Sequence, residues 1–167
     1  MVEAAAQLAA GGPAVRLTHQ TGERDVEMVR GAYRQAGLQA VVEPFLYDMG
    51  RQLGEADVIV CRAGATTLAE ITAAGKAAIL IPLPTATDDH QRKNAEALAA
   101  SGASEVLLQK DMTGAVLAER LLRACRAIAS GARGCASAAR SLARPDAAKV
   151  IVDKPLEIAD RAIGDRR

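Results

Sequence analysis

DVIVCRAGATTLAEITAAGKAAILIPLP, Asp57 to Pro84, decides how this chain folds. It opens with an apolar run, Val58 to Cys61, and passes through the small-residue turn Arg62-Ala63-Gly64-Ala65-Thr66. A segment of helix-forming residues from Thr67 to Ala74 comes next, and a second apolar run, Ala77 to Ile81, ends in prolines. Short continuous apolar runs bounded by turn residues are the mark of strands buried on both faces. With a helix between them, the strands are parallel, because a crossover of this length lays its helix over the sheet in a right-handed sense.

The same rhythm extends in both directions. Upstream, an alanine-rich helix near Val2 to Ala10 precedes a strand at Ala14 to Thr18 and a helix at Arg24 to Ala36. A strand at Gln39 to Glu43 and a short helix near Asp48 to Ala56 complete that half. Downstream, a helix spans Asp89 to Ser101, a strand Glu105 to Leu108 and a helix Thr113 to Ser130. The remainder from Ala132 reads as helix broken at Pro145 and Pro155. The expected fold class is α/β: a Rossmann-like parallel sheet with helices on both faces, residues 1–167 forming a single domain.

Composition narrows the function classes. Residues are 50% hydrophobic but only 2% aromatic, which suits closely packed helices and strands of small aliphatic side chains rather than an aromatic-rich sandwich. With 21 basic and 20 acidic residues the formal charge is +1, and the basic bias of a nucleic-acid binder is missing. Cys61, Cys125 and Cys135 form no C-x-x-C pair and are an odd count, so packing cysteines in a reducing compartment are expected rather than a disulfide framework or a zinc site. No apolar stretch reaches the roughly 20 residues that span a bilayer, and the N-terminus lacks a signal-peptide pattern; a cytoplasmic chain is expected.

In open parallel sheets ligands sit beyond the carboxyl ends of the strands. That places the loops at His19 to Glu23, Pro44 to Asp48, Arg62 to Thr66 and Leu83 to Asp89 on one rim. Gly64 and its small neighbours let a ligand approach the backbone, and the N–H groups opening the next helix suit an anion such as phosphate. Thr67-x-x-Glu70 has two readings: a capping box that satisfies the helix's own N–H groups, or a Glu70 carboxylate free to accept from two adjacent sugar hydroxyls. Arg62 suits either a phosphate or a surface carboxylate. Asp88 or Asp89 is the expected cap of the following helix, which puts His90 and Gln91 in its first turn, either as a plain capped surface helix or as readers of a hexose. Asp88, Asp89 and His90 have no second ligand cluster to make a metal site, and His19-Gln20-Thr21-Gly22 reads as a turn at a strand end.

Taken together, LTHQTG, VEPFLYDM, the opening stretch, DDHQRKNAEALAASGAS and ARPDAA resemble, in order and spacing, the C-terminal donor-binding domain of the MurG family of GT-B glycosyltransferases. The resemblance covers nearly the whole chain and is most specific from Phe45 to Asn94. It implies that the chain binds UDP-N-acetylglucosamine (UDP-GlcNAc) for transfer of GlcNAc to lipid I, forming lipid II in peptidoglycan synthesis, with no cofactor or metal required. By the same resemblance Leu46 meets the uracil through its backbone and Glu70 takes the ribose hydroxyls. Ala65 and Thr67 lie by the diphosphate and sugar, and His90 and Gln91 bind GlcNAc hydroxyls with Asn94 close behind.

The family's glycine-rich loop G-G-S-x-G-A and the strand before it are expected upstream of Met1. So is the acceptor domain, with the general base, the lipid I site and the membrane face that makes the full-length enzyme peripheral on the cytoplasmic side of the inner membrane. This chain alone is therefore expected to be inactive. Its sheet is expected to lack the first strand, which the order 3-2-1-4-5-6 puts in the middle. Ala77 and Tyr47 depart from the family's usual proline and acidic residue. Rival readings are another UDP-sugar enzyme of the same architecture, such as a UDP-GlcNAc 2-epimerase, or a non-catalytic sugar-nucleotide-binding module.

Overall fold

The computed structural model describes residues 1–11 and 15–164 of the chain, and of residues 157 and 159–164 the backbone alone. A 3-10 turn at Val2–Ala4 runs into α1 (Ala5–Ala10). Next come β1 (Arg16–Gln20), α2 (Val26–Gln35), β2 (Gln39–Glu43), α3 (Met49–Glu55), β3 (Val58–Cys61), α4 (Ala65–Ala74) and β4 (Ala77–Leu80). The series ends with α5 (His90–Ala100), β5 (Ser104–Val106), α6 (Gly114–Ala129), α7 (Gly134–Ser141) and α8 (Ala147–Gly164).

All strand pairs are parallel. Arg16 to Gln20 of β1 lie opposite Gln39 to Glu43 of β2. Val58 to Cys61 of β3 lie opposite Ala77 to Leu80 of β4, and Ala78 to Leu80 lie opposite Ser104 to Val106 of β5. Among the described residues these form two sheets, β1-β2 and β3-β4-β5, with no ladder joining them. The division falls where the order 3-2-1-4-5-6 expects a further strand; among the described residues β1 pairs with β2, and β3 with β4.

The sheets nevertheless share a core. Val42 of β2, Ile79 of β4, Val29 and Tyr33 of α2, Leu8 of α1 and Leu117, Leu121 and Leu122 of α6 belong to one buried cluster. The opposite face holds Ala63, Ile71, Ala78, Leu80, Ala95, Leu98, Ala103 and Ala139, beneath α4, α5 and α7. Strand β4 shows why its sequence is apolar throughout: Ile79 points to one cluster, and Ala78 and Leu80 to the other. The alanines of the second cluster let three helices come close to the strand.

Several boundaries differ from the sequence reading, each for a physical reason. Strand β1 is displaced two residues toward the C-terminus, and the expected start at Ala14 lies outside the described residues. Helix α4 begins at Ala65 rather than Thr67, with Gly64 as its N-cap. Its end is a glycine of necessity. Gly75 has φ 62°, and a Cβ there would meet the Arg140 guanidinium at 2.6 Å. Arg140 itself donates to the Ala74 carbonyl at 3.2 Å.

Pro145 separates α7 from α8 as expected, but Pro155 lies inside α8 rather than breaking it. Proline removes the N–H that the Ile151 carbonyl would accept, and Ile151 is exposed, where an unmade backbone bond costs less than in a core. No helix among the described residues is long and apolar enough to cross a membrane.

Candidate functional site

Register is held past the ends of the strands, which is what makes the rim a defined surface. Thr21 N–H and Gly22 N–H donate to the Glu43 and Pro44 carbonyls, each at 3.0 Å. Ile81 N–H donates to the Cys61 carbonyl at 2.9 Å, and Leu107 N–H to the Leu80 carbonyl at 2.9 Å. The loops therefore leave the sheets from fixed positions.

The loop after β3 is lashed down on both sides. Arg62 Nη1 donates to the Ile81 and Pro82 carbonyls at 3.2 and 3.3 Å, so it bridges the ends of β3 and β4 rather than pairing with a carboxylate. Ala63 is fully buried, and its carbonyl accepts from Asn94 Nδ2 at 3.2 Å. Asn94 thus spends one of its donors as a bracket between α5 and the β3–α4 loop.

Beyond this loop, α4 starts without a side-chain cap. Gly64 has φ −68° and ψ 143°, and its backbone alone forms the N-cap. The first described backbone bond of the helix is Leu68 N–H to the Gly64 carbonyl at 3.0 Å. The N–H groups of Ala65, Thr66 and Thr67 precede that bond and have no acceptor among the described residues, and the helix dipole leaves partial positive charge there.

The capping box does not form. Glu70 is exposed and makes no hydrogen bond or ion pair among the described residues. Gly64 is also not a glycine by local demand: its φ is open to any residue, and an added Cβ would meet only Thr67 Oγ1 at an ordinary 3.8 Å.

The β4–α5 loop supplies the next group. Asp88 and Asp89 both have left-handed backbone, φ 52° and 54°, which costs about 1 kcal/mol each for a non-glycine residue and recurs at ligand-holding turns. Asp89 occupies the N-cap position, but its side chain does not cap α5; its carboxylate faces Arg92 at 4.0 Å. His90 Nδ1 lies 2.7 Å from the Thr87 carbonyl, which can only accept, so Nδ1 carries a proton and Nε2 has no partner among the described residues. Gln91 Oε1 accepts from Leu83 N–H at 3.0 Å, which leaves the Nε2 hydrogens as donors.

The β1 and β2 loops form a second group. Asp48 caps α3 by accepting from Arg51 N–H at 3.1 Å. Just before it, Leu46 N–H donates to Gln20 Oε1 at 2.9 Å. Phe45 and Tyr47 flank Leu46, exposed at 55% and 92%, with ring centroids 5.0 Å apart in an edge-on pair. In a chain with one Phe and two Tyr, two of the three aromatics therefore stand in solvent on this rim. The third, Tyr33, is buried, and its hydroxyl lies 2.8 Å from His19 Nδ1. Burial and the positive N-terminus lower the His19 pKa below its usual value, and burial pushes Tyr33 up to about 12.

The structure thus ties Arg62, Ala63, Gln91 and Asn94 into one group and Gln20, Leu46 and their loop neighbours into another, with Ala65, Thr67 and Glu70 presented from α4 beside the first. Two cavities lie elsewhere: one of about 410 Å³ between α2 and β2, and one of about 280 Å³ beneath the N-terminal ends of β3 and β4. Neither cavity reaches the rim loops. No group of three or more His, Cys, Asp or Glu among the described residues could hold a metal ion. Sequence reasoning gave Gln20 no individual role, and no local signal reveals it, since its partner lies 26 residues away.

Comparison with known proteins places the chain in a family. The chain is 49% identical over 143 residues to the UDP-N-acetylglucosamine--N-acetylmuramyl-(pentapeptide) pyrophosphoryl-undecaprenol N-acetylglucosamine transferase of Trichlorobacter lovleyi, covering 86% of this chain and 37% of that protein. It is 47% identical over 154 residues to the protein of the same name from Geotalea uraniireducens, covering 92% of this chain and 42% of that one. The crystal structure of Acinetobacter baumannii MurG superposes with a TM-score of 0.80 at 38% identity, over 90% of this chain and 43% of that chain. The forosaminyltransferase SpnP shares the fold at a TM-score of 0.53 and 21% identity. The chain therefore spans about two fifths of the length of the curated relatives it matches. The model of the glycosyltransferase family 28 C-terminal domain matches residues 1–151, and the chain belongs to that family.

Proposed function

We propose that this chain is the donor-binding part of an inverting transferase that moves GlcNAc from UDP-GlcNAc to the C4 hydroxyl of lipid I, producing lipid II. The observation that carries the reading is the uncapped start of α4 beside an uncommitted Glu70. Three N–H groups, a helix dipole and a carboxylate with no protein partner suit, in that order, a diphosphate and a ribose diol. The absent side chain at Gly64 answers to no packing demand of the fold, which agrees with a ligand lying against that backbone.

In this reading the N–H groups of Ala65 and Thr67 face the diphosphate. They stabilise the UDP leaving group as negative charge develops on it, without a metal. Leu46 meets the uracil through its backbone. Nε2 of Gln91 and Nε2 of His90 face GlcNAc hydroxyls, and Asn94 holds the loop in place. The general base that deprotonates the attacking hydroxyl, the lipid I site and the peripheral attachment to the cytoplasmic face of the inner membrane belong to a second domain.

The test is calorimetric titration of this chain extended upstream with the corresponding residues of the Trichlorobacter lovleyi relative. UDP and UDP-GlcNAc are expected to bind, and GDP-sugars to bind at least tenfold more weakly. Equal affinity for uridine and guanosine nucleotides would remove the assignment. The unextended chain, incubated with UDP-GlcNAc and a lipid I analogue, is expected to form no product above a protein-free blank.

A further inference from the structure

Leu46 N–H, the backbone donor placed to meet the nucleobase, is already taken. Gln20, the last residue of β1, accepts from it through Oε1 at 2.9 Å. We infer that Gln20 is a latch on the nucleobase subsite: its side-chain carbonyl occupies the Leu46 donor in the empty chain and gives it up to a uracil carbonyl when the nucleotide binds. The inference rests on the uridine-nucleotide reading of the rim.

Three observations support a replaceable partner rather than a structural tie. The β1 and β2 loops are already held by the backbone bonds of Thr21 and Gly22 to Glu43 and Pro44, so the Gln20 bond is an addition to a formed register. It is made by an exposed side chain at a solvent-facing position, where water or a ligand substitutes for it at little cost.

The group displaced also matches the group arriving. An amide carbonyl and a uracil carbonyl are both neutral acceptors, and the Leu46 carbonyl, with no described donor, is left for the adjacent N3–H of uracil. The exposed Phe45 and Tyr47 rings flank the exchange point. The latch keeps the donor satisfied and its loop in one geometry while no base is bound, and it subtracts a small, fixed amount from nucleotide affinity.

The experiment uses the ¹⁵N-labelled chain itself, with neutral uridine as the probe so that phosphate plays no part, and the variants Gln20→Leu, which has no acceptor, and Gln20→Glu, which has a charged one. Leu46 amide exchange without nucleoside is expected to be slow in the native chain and to quicken about 2- to 10-fold in Gln20→Leu, the loss of one ordinary hydrogen bond. Uridine affinity is expected to rise by a similar factor in Gln20→Leu and to fall in Gln20→Glu, since a charge-assisted bond is harder to displace.

An unprotected Leu46 amide, or exchange unchanged by Gln20→Leu, overturns the latch. Weaker uridine binding by Gln20→Leu would make Gln20 a structural prop and overturn the competition. Latched exchange with no uridine-induced shift on the rim in any variant overturns the uridine reading and the competition together, and the exchange data separate that result from an absent latch.

Discussion

Replacing Glu70 with glutamine separates the two roles its sequence context allows. In the folded chain Glu70 is exposed, and neither Thr67 nor any other side chain caps α4, so the carboxylate contributes no described bond to the fold. A surface change of this kind alters stability by no more than about 0.5 kcal/mol. In the proposed reading the carboxylate accepts from the ribose hydroxyls of the nucleotide, and a hydrogen bond to a charged group is worth about 1.5–3 kcal/mol. Glutamine keeps one neutral acceptor, so the expected loss is about 1–3 kcal/mol, or roughly 5- to 150-fold in dissociation constant. Because the ribose is common to both ligands, UDP and UDP-GlcNAc weaken equally. Urea denaturation of the native length and calorimetry on the upstream-extended chain measure the two quantities. Unchanged affinity would return Glu70 to helix capping, a role that glutamine also fills, and refute the reasoning.

Gln91→Glu keeps the acceptor for Leu83 N–H but removes the outward donor; it is expected to weaken UDP-GlcNAc several-fold while leaving UDP nearly unchanged, and equal losses would take Gln91 out of the sugar site. Leu80→Ala, at a fully buried position of β4 within the second core cluster, is expected to cost about 2–5 kcal/mol in urea denaturation, and a cost below about 1 kcal/mol would mean that cluster is loosely packed. His19, whose pKa is lowered from 6.5 by burial and the N-terminal charge, takes up its proton more readily when unfolded; its contribution is complete above about pH 6.5 and is lost as pH falls from there through the lower folded value. His19→Gln is expected to flatten the stability profile in that window, and an equally steep profile in the variant would assign the slope to other groups.

The alternation of strands and helices, the C-terminal rim and the helix starts at Asp48 and Thr113 were legible in the sequence. Each depends on interactions within about four residues or on periodicity, and both are written locally. Thr113, for example, accepts from Val116 N–H at 3.2 Å, three residues on. Spacing could not choose between capping and ligand binding at Thr67 and Glu70, because the local hydrogen-bond option exists in either case. The fold decides only against the cap: the bonds of Arg62 to Ile81 and Asn94 to Ala63 hold the loop, and α4 begins two residues early, at Ala65. The Gln20–Leu46 bond, the outward turn of the Gln91 amide and the division into two sheets belong to the same class. Side chains that bond to distant backbone, and strands that find or lack neighbours, are set by where the tertiary structure brings the chain. The sequence by itself determined which segments are strands and helices and which loops share a rim; only the packing of those segments decided which polar atoms on that rim are spent on the fold and which are left for a ligand.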